Sequence, residues 1–150
     1  MTRPQIRCVY LAGSRRDAQH AAWLLTPRDI DVVPAGSVLE AEAALHVTGA
    51  RVLLCDSDIA PGPWRDALRM VQDDPAAVMI LVLPRFDGPT WVDALQDGCF
   101  DVLLKPFDQS ELCDSIEDAH RYSAMHRAQS RPESVNGRPL LQRIRDVLAR

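Results

Sequence analysis

Asp97-Gly98-Cys99-Phe100-Asp101-Val102-Leu103-Leu104-Lys105-Pro106-Phe107 holds the end of a helix, a strand and a loop in one short stretch. Phe100–Leu104 is an apolar run of strand length. Gly98 is the residue type that closes a preceding helix, because it enters the left-handed region at little cost. Ala94 and Leu95 carry that helix toward it. Lys105-Pro106 stops the run, since proline cannot donate to a central ladder. Asp108-Gln109-Ser110-Glu111 follows as a capping box and opens another helix, expected to run to about Ala128. The stretch thus predicts helix, strand, loop, helix.

Upstream the same alternation recurs. Apolar runs occur at Ile6–Leu11, Ile30–Val33, Val52–Cys55 and Val78–Leu83. They are rich in Val, Ile and Leu and apolar without alternation, the pattern of parallel strands covered on both faces. Helical spacing fills the gaps. Ala18, Ala21, Ala22, Leu24 and Leu25 give a first helix that starts near Ser14 or Asp17. Ser37-Val38-Leu39-Glu40 is a capping box for a second, which continues through His46 and ends near Gly49. Trp64, Ala67, Leu68 and Val71 space a third behind Pro61-Gly62-Pro63. Pro89, Trp91, Val92 and Leu95 form the fourth.

Five βα units in series predict an α/β chain with an open, doubly wound parallel sheet. Such sheets carry their working site outside the carboxyl ends of the strands. That gathers Ala12-Gly13-Ser14, Asp56-Ser57-Asp58, Leu83-Pro84-Arg85 and Lys105-Pro106. The first βα turn, Leu11-Ala12-Gly13-Ser14-Arg15-Arg16, has one glycine, so it is neither a dinucleotide fingerprint nor a phosphate loop.

Composition narrows the classes. The chain has 150 residues, is 47% hydrophobic and carries 21 acids against 17 bases, a net charge of −4. This suits one folded domain with a tail and argues against a general nucleic-acid binder. No apolar run is long enough to span a membrane and no secretory leader is legible, so a cytoplasmic location is expected. Cys8, Cys55, Cys99 and Cys113 form no CxxC pair. They read as buried small hydrophobes, with a redox role the minor alternative. His20, His46, His120 and His126 have no metal-ligand spacing with them. Of the bases, only Lys105 is a lysine.

The remaining organisation is two-part. Residues 1–128 make the βα domain. Residues 129–150 read as a linker, Ser130 to Pro139, and a short amphipathic helix with Leu140, Leu141, Ile144, Val147 and Leu148 on its apolar face. From Arg121 onward the net charge is +5, against −9 for residues 1–120.

Val52-Leu53-Leu54-Cys55-Asp56 places an acid at the end of the third strand, and Lys105-Pro106 ends the fifth. With the 97–107 stretch, this combination resembles the receiver domain of bacterial two-component response regulators, the CheY-like family, over about residues 5–122. The resemblance implies a flavodoxin-like (βα)5 fold of strand order 2-1-3-4-5. It implies that Asp56 is the phosphoacceptor equivalent and that Lys105 is the lysine facing the phosphoryl group. It also implies a cis bond before Pro106. The chemistry suits the residues: a carboxylate oxygen is a nucleophile, and an ammonium is a compact counter-charge. The alternative for Asp56 is a strand-end acid capping nearby amides, and for Lys105 a solvated loop lysine.

The family pattern is broken elsewhere. Its acidic pair for Mg²⁺ matches Ala12 and Gly13, its phosphate-binding hydroxyl matches Leu83, and its switch aromatic matches Val102. Asp56 with Asp58 is a thin ligand set for Mg²⁺, which takes several oxygens in a near-octahedral shell. The expectation is therefore a degenerate, or pseudo-, receiver: not an enzyme, without metal or cofactor, acting through protein contacts. A histidine kinase or another regulator is the expected partner. A homodimer through the fourth and fifth helices or the C-terminal helix is the other option. Arg15, Arg16 and Arg85 are potential neutralisers of Asp56, or else simply face solvent. The alternative is a working phosphoacceptor, with Mg²⁺ required in that case only. A flavodoxin-like enzyme is the remote option.

Overall fold

The computed structural model describes residues 5–59, 63–74 and 77–129. Five strands and five helices alternate: β1 (Ile6–Leu11), α1 (Arg15–Leu25), β2 (Ile30–Ala35), α2 (Val38–Thr48), β3 (Val52–Asp56), α3 (Trp64–Gln72), β4 (Val78–Leu83), α4 (Gly88–Asp97), β5 (Asp101–Leu104) and α5 (Gln109–Gln129). The strands form one parallel sheet of order β2-β1-β3-β4-β5. This is the flavodoxin-like doubly wound architecture. The linker and helix expected after residue 129, and the Pro61-Gly62 turn, lie outside the described residues.

Side-chain alternation along the strands divides the core. Val9, Leu11, Leu53, Cys55 and Leu81 point to the face covered by α2, α3 and α4. Cys8, Tyr10, Leu54, Ile80 and Val82 point to the face covered by α1 and α5. Each fully buried Leu, Ile or Val contributes roughly 1.5–3 kcal/mol relative to exposure. Trp91 belongs to this core: it is buried and packs on the exposed Phe86, ring centroids 5.7 Å apart.

Two expectations need correction. The second strand runs on through Pro34 to Ala35, and it is not covered on both faces. Ile30 and Ala35 are buried, whereas Asp31 and Pro34 are exposed. The reason is its place at the sheet edge, which also tolerates the proline. The fifth strand begins at Asp101 rather than Phe100. Asp101 is a buried acid that accepts from Ser115 Oγ at 2.8 Å and from the Val102 amide.

Helix ends follow the local chemistry. Ser14 Oγ accepts from the Asp17 amide, Ser37 Oγ from the Glu40 amide, Asp87 Oδ1 from the Thr90 amide and Asp108 Oδ2 from the Glu111 amide. Glu40 reaches one residue further back than a standard capping box, to the Gly36 amide. Gly98 ends α4 at φ +116°, where a Cβ would stand 2.7 Å from Gln72 Nε2. The Ser14 cap fixes where α1 starts, at the carboxyl end of β1 where the site lies, and Gly98 fixes where α4 hands over to β5 at the opposite end of the sheet.

Candidate functional site

The site lies where strand order reverses between β1 and β3, at the carboxyl ends of the strands. Backbone bonds continue the sheet past those ends. Ser57 N–H donates to the Val82 carbonyl at 2.8 Å, and Lys105 N–H to the Leu83 carbonyl at 2.9 Å. The residues following β3 and β5 are thereby held against β4. The Lys105–Pro106 peptide bond is cis.

Asp56 is fully buried. Its Oδ1 accepts from the Tyr10 hydroxyl at 2.7 Å. Its Oδ2 accepts from the Gly13 amide at 2.7 Å and from Lys105 Nζ at 3.0 Å. Lys105 Nζ also donates to Asp17 Oδ2 at 2.8 Å. A buried carboxylate needs such partners, because an uncompensated one costs several kcal/mol. Here three donors from three segments converge on it.

The charges shift accordingly. Burial works against the Lys105 ammonium, but its hydrogen bonds to Asp17 and Asp56 outweigh this and hold its pKa above the usual lysine value. The hydrogen bond from Lys105 pulls the Asp17 carboxyl below its usual value. Burial, and next the negative charge of Asp56, push the Tyr10 phenol far up, so Tyr10 stays a donor.

The structure places Lys105 against Asp56 and adds Tyr10 and Asp17, which the sequence reading missed. Tyr10 carries the one hydroxyl in the β1 run, and a buried tyrosine hydroxyl seeks a partner. Asp17 is an acid in the first turn of the helix that leaves the site. Either signal pointed here. Arg15, Arg16 and Arg85 do not neutralise Asp56: all three are exposed, and none is among its partners. The Tyr10 hydroxyl, the Gly13 amide and Lys105 already donate to the buried carboxylate's two oxygens, and the arginines fall on the outer turns.

The other matched positions bring no polar group to the site. Leu83 is buried at the end of β4 and Val102 is buried in β5. Ala12 is half-buried. A Cβ on Gly13 would stand 3.4 Å from Asp56 Oδ2 and 3.7 Å from Asp58 Oδ1, so position 13 faces the carboxylates without contributing one. The Mg²⁺ implied by the resemblance does not fit this residue set. Positions 12 and 13 offer no side-chain oxygen, and both Asp56 oxygens are engaged within the protein. Among the described residues no group of three His, Cys, Asp or Glu side chains could hold a metal ion.

The sheet order and the helices on both faces make the fold the one found in response-regulator receiver domains. The solved structures agree. The receiver domain of a response regulator from Clostridium thermocellum superposes with a TM-score of 0.72 at 20% identity, covering 80% of this chain and 98% of that one. A response regulator receiver protein from Pseudomonas putida gives a TM-score of 0.68 at 23% identity, covering 78% and 99%. The beryllofluoride-activated NtrC4 receiver domain dimer gives 0.71 at 19%, covering 78% and 98%. At these identities the likeness establishes the fold.

In sequence, the chain is 28% identical over 156 residues to the C4-dicarboxylate transport transcriptional regulatory protein DctD of Rhizobium meliloti (strain 1021). The match covers 93% of this chain but about a third, 33%, of that regulator's length. No protein-family model matches the chain.

Proposed function

We propose that the chain is a receiver-like signalling domain that works by protein contact and has lost Mg²⁺-dependent phosphoryl transfer. The observation that carries this reading is the state of Asp56. Its carboxylate is buried and holds a hydroxyl, an amide and an ammonium, with no carboxylate beside it at positions 12 or 13. An in-line attack on a phosphoryl group needs a free carboxylate oxygen and a cation to screen the charge that develops. The Tyr10 hydroxyl occupies one oxygen, and the metal-binding acids are replaced. The likeness to DctD supports a place in two-component signalling, with a histidine kinase or another regulator as partner. The exposed Phe86 and Val92 beside α4 support a contact face there, toward such a partner or a second copy.

A working phosphoacceptor is the second reading, favoured by the Lys105–Asp56 contact of 3.0 Å. Intact-mass measurement after incubation with acetyl phosphate and Mg²⁺ decides between them. The expected spectrum shows no added phosphoryl group. A phosphoryl adduct mapped to Asp56 overturns the proposal.

A further inference from the structure

At the opposite end of the strands, where they begin, a cluster of basic groups is unused by the Asp56 site. Arg7 lies near the start of β1, and Arg51 immediately precedes β3. Cys8 pairs with Val52 in the parallel register, so the two arginines are cross-strand neighbours one step earlier. Like charges placed so are mutually repulsive. His120 of α5 joins them, with Thr48 and Ala50, around a cavity of about 320 Å³.

Nothing among the described residues neutralises this cluster. Neither Arg7 nor Arg51 makes an ion pair there. Asp31, the register partner of Arg7 on β2, is exposed and makes no ion pair with it. Arg51 Nε and His120 Nδ1 are buried without a hydrogen-bond partner. A buried donor left unsatisfied costs the full desolvation of the group. The Thr48 hydroxyl does not relieve it: its hydrogen goes to the Ala44 carbonyl and it accepts from the Ala50 amide. Burial, and then the charge of Arg51, hold the His120 imidazole below its ordinary value, as expected where no acid is at hand. Residues 1–120 carry a net charge of −9, yet these two guanidiniums stay unpaired.

We propose that this cavity binds an oxyanion of the phosphate and sulfate class. Arg7 and Arg51, which line the cavity, supply the charge through their guanidinium groups, and the His120 imidazole borders it from α5. Guanidinium nitrogens match tetrahedral oxyanions in spacing and charge. The proposal does not depend on whether Asp56 accepts a phosphoryl group, because the two sites lie at opposite ends of the strands.

Amide and histidine NMR on the full chain, titrated with inorganic phosphate at constant ionic strength in chloride, tests it. Saturable shifts are expected at Arg7, Thr48, Arg51 and His120. Arg51→Gln is expected to weaken the affinity about tenfold, the loss of one charge-assisted contact. Arg7→Gln, at an exposed position, provides a second variant should Arg51→Gln fail to fold. Sulfate and O-phosphoserine are titrated in parallel. Tighter binding of O-phosphoserine identifies a phosphorylated group as the ligand, and equal or weaker binding identifies the free ion. Shifts that do not saturate, that centre on Asp56 and Lys105, or that persist unchanged in a folded Arg51→Gln or Arg7→Gln variant overturn the proposal.

Discussion

Tyr10 and Asp56 stand 46 residues apart in the chain and 2.7 Å apart in space, the hydroxyl of one donating to Oδ1 of the other on adjacent buried strands. The contact ties β1 to β3 by a side chain as well as by the sheet. It also removes a lone pair from the one carboxylate at the site that is fully enclosed.

Tyr10→Phe deletes that donor while keeping the ring, which lies edge-on to Phe107 with centroids 6.1 Å apart. Hydrogen bonds to charged groups contribute about 1.5–3 kcal/mol. The variant is expected to lose stability in that range, read from urea midpoints at pH 7. An unshifted midpoint would count against the contact.

Lys105→Met leaves Asp56 buried with no cation and Asp17 unpaired. Breaking a buried pair from one side costs about 3–5 kcal/mol. Asp56→Asn in the same chain is expected to recover much of the loss, because the stranded charge is then gone. A double-mutant cycle by chemical denaturation measures the coupling, and strictly additive losses would refute it.

The same cluster sets a pH dependence. The folded Asp17 carboxyl lies below its unfolded value of 3.8, chiefly through the hydrogen bond from Lys105. Its contribution is therefore present above that value and is lost as the pH falls through the depressed folded one. At the alkaline end the sign reverses. Burial opposes the Lys105 charge, the hydrogen bonds to Asp17 and Asp56 prevail, and the contribution is complete below 10.5 and fades as the pH rises through the raised folded value. Asp17→Asn is expected to flatten the acid limb of a stability-against-pH curve, and an acid limb of unaltered slope contradicts this.

Gly98→Ala is expected to destabilise by about 1–2 kcal/mol. It places a side chain at φ +116° and within 2.7 Å of Gln72 Nε2, which itself donates to the Asp97 carbonyl. Thermal melts check the size, and Gln72→Ala beside it separates the steric part from the backbone part.

The thiols provide a chemical check on the core. All four cysteines are buried and none is in a disulfide. Burial pushes the Cys8 thiol up to about 12 and raises Cys55 and Cys113 as well. A disulfide reagent is expected to find almost no thiolate in the native protein and four reactive thiols after guanidinium unfolding. Rapid native labelling of Cys8 or Cys55 would contradict the packing.

The fold was legible because its signals are local. Unbroken apolar runs mark β1, β3 and β4, and Ser37, Gly49, Gly98 and Asp108 mark helix ends through chemistry confined to a turn. The edge strand β2 was misread because its exposure depends on strand order, which Ile30–Val33 does not encode locally. Asp56 and Lys105 were legible because each ends a strand. Tyr10 and Asp17 were not read as site residues, since their roles arise only when the carboxyl ends of β1, β3 and β5 are gathered by the sheet. Of the two readings for the three arginines, the solvent-facing one holds: chain proximity to the site does not turn a side chain toward a buried carboxylate.

Because the sequence holds a single lysine, any enzyme or reagent that acylates a lysine side chain in this protein must do so at the site itself. Nε-acetylation there removes the charge and two of the ammonium's donor hydrogens at once. It leaves Asp56 with only Tyr10 and the Gly13 amide, and Asp17 without its cation. With Lys105 only 20% exposed in its side chain and its ammonium held by Asp17 and Asp56, such acylation requires those contacts and the loop after β5 that carries the lysine to open. The acetylation state of this one amine would then report how often that loop opens.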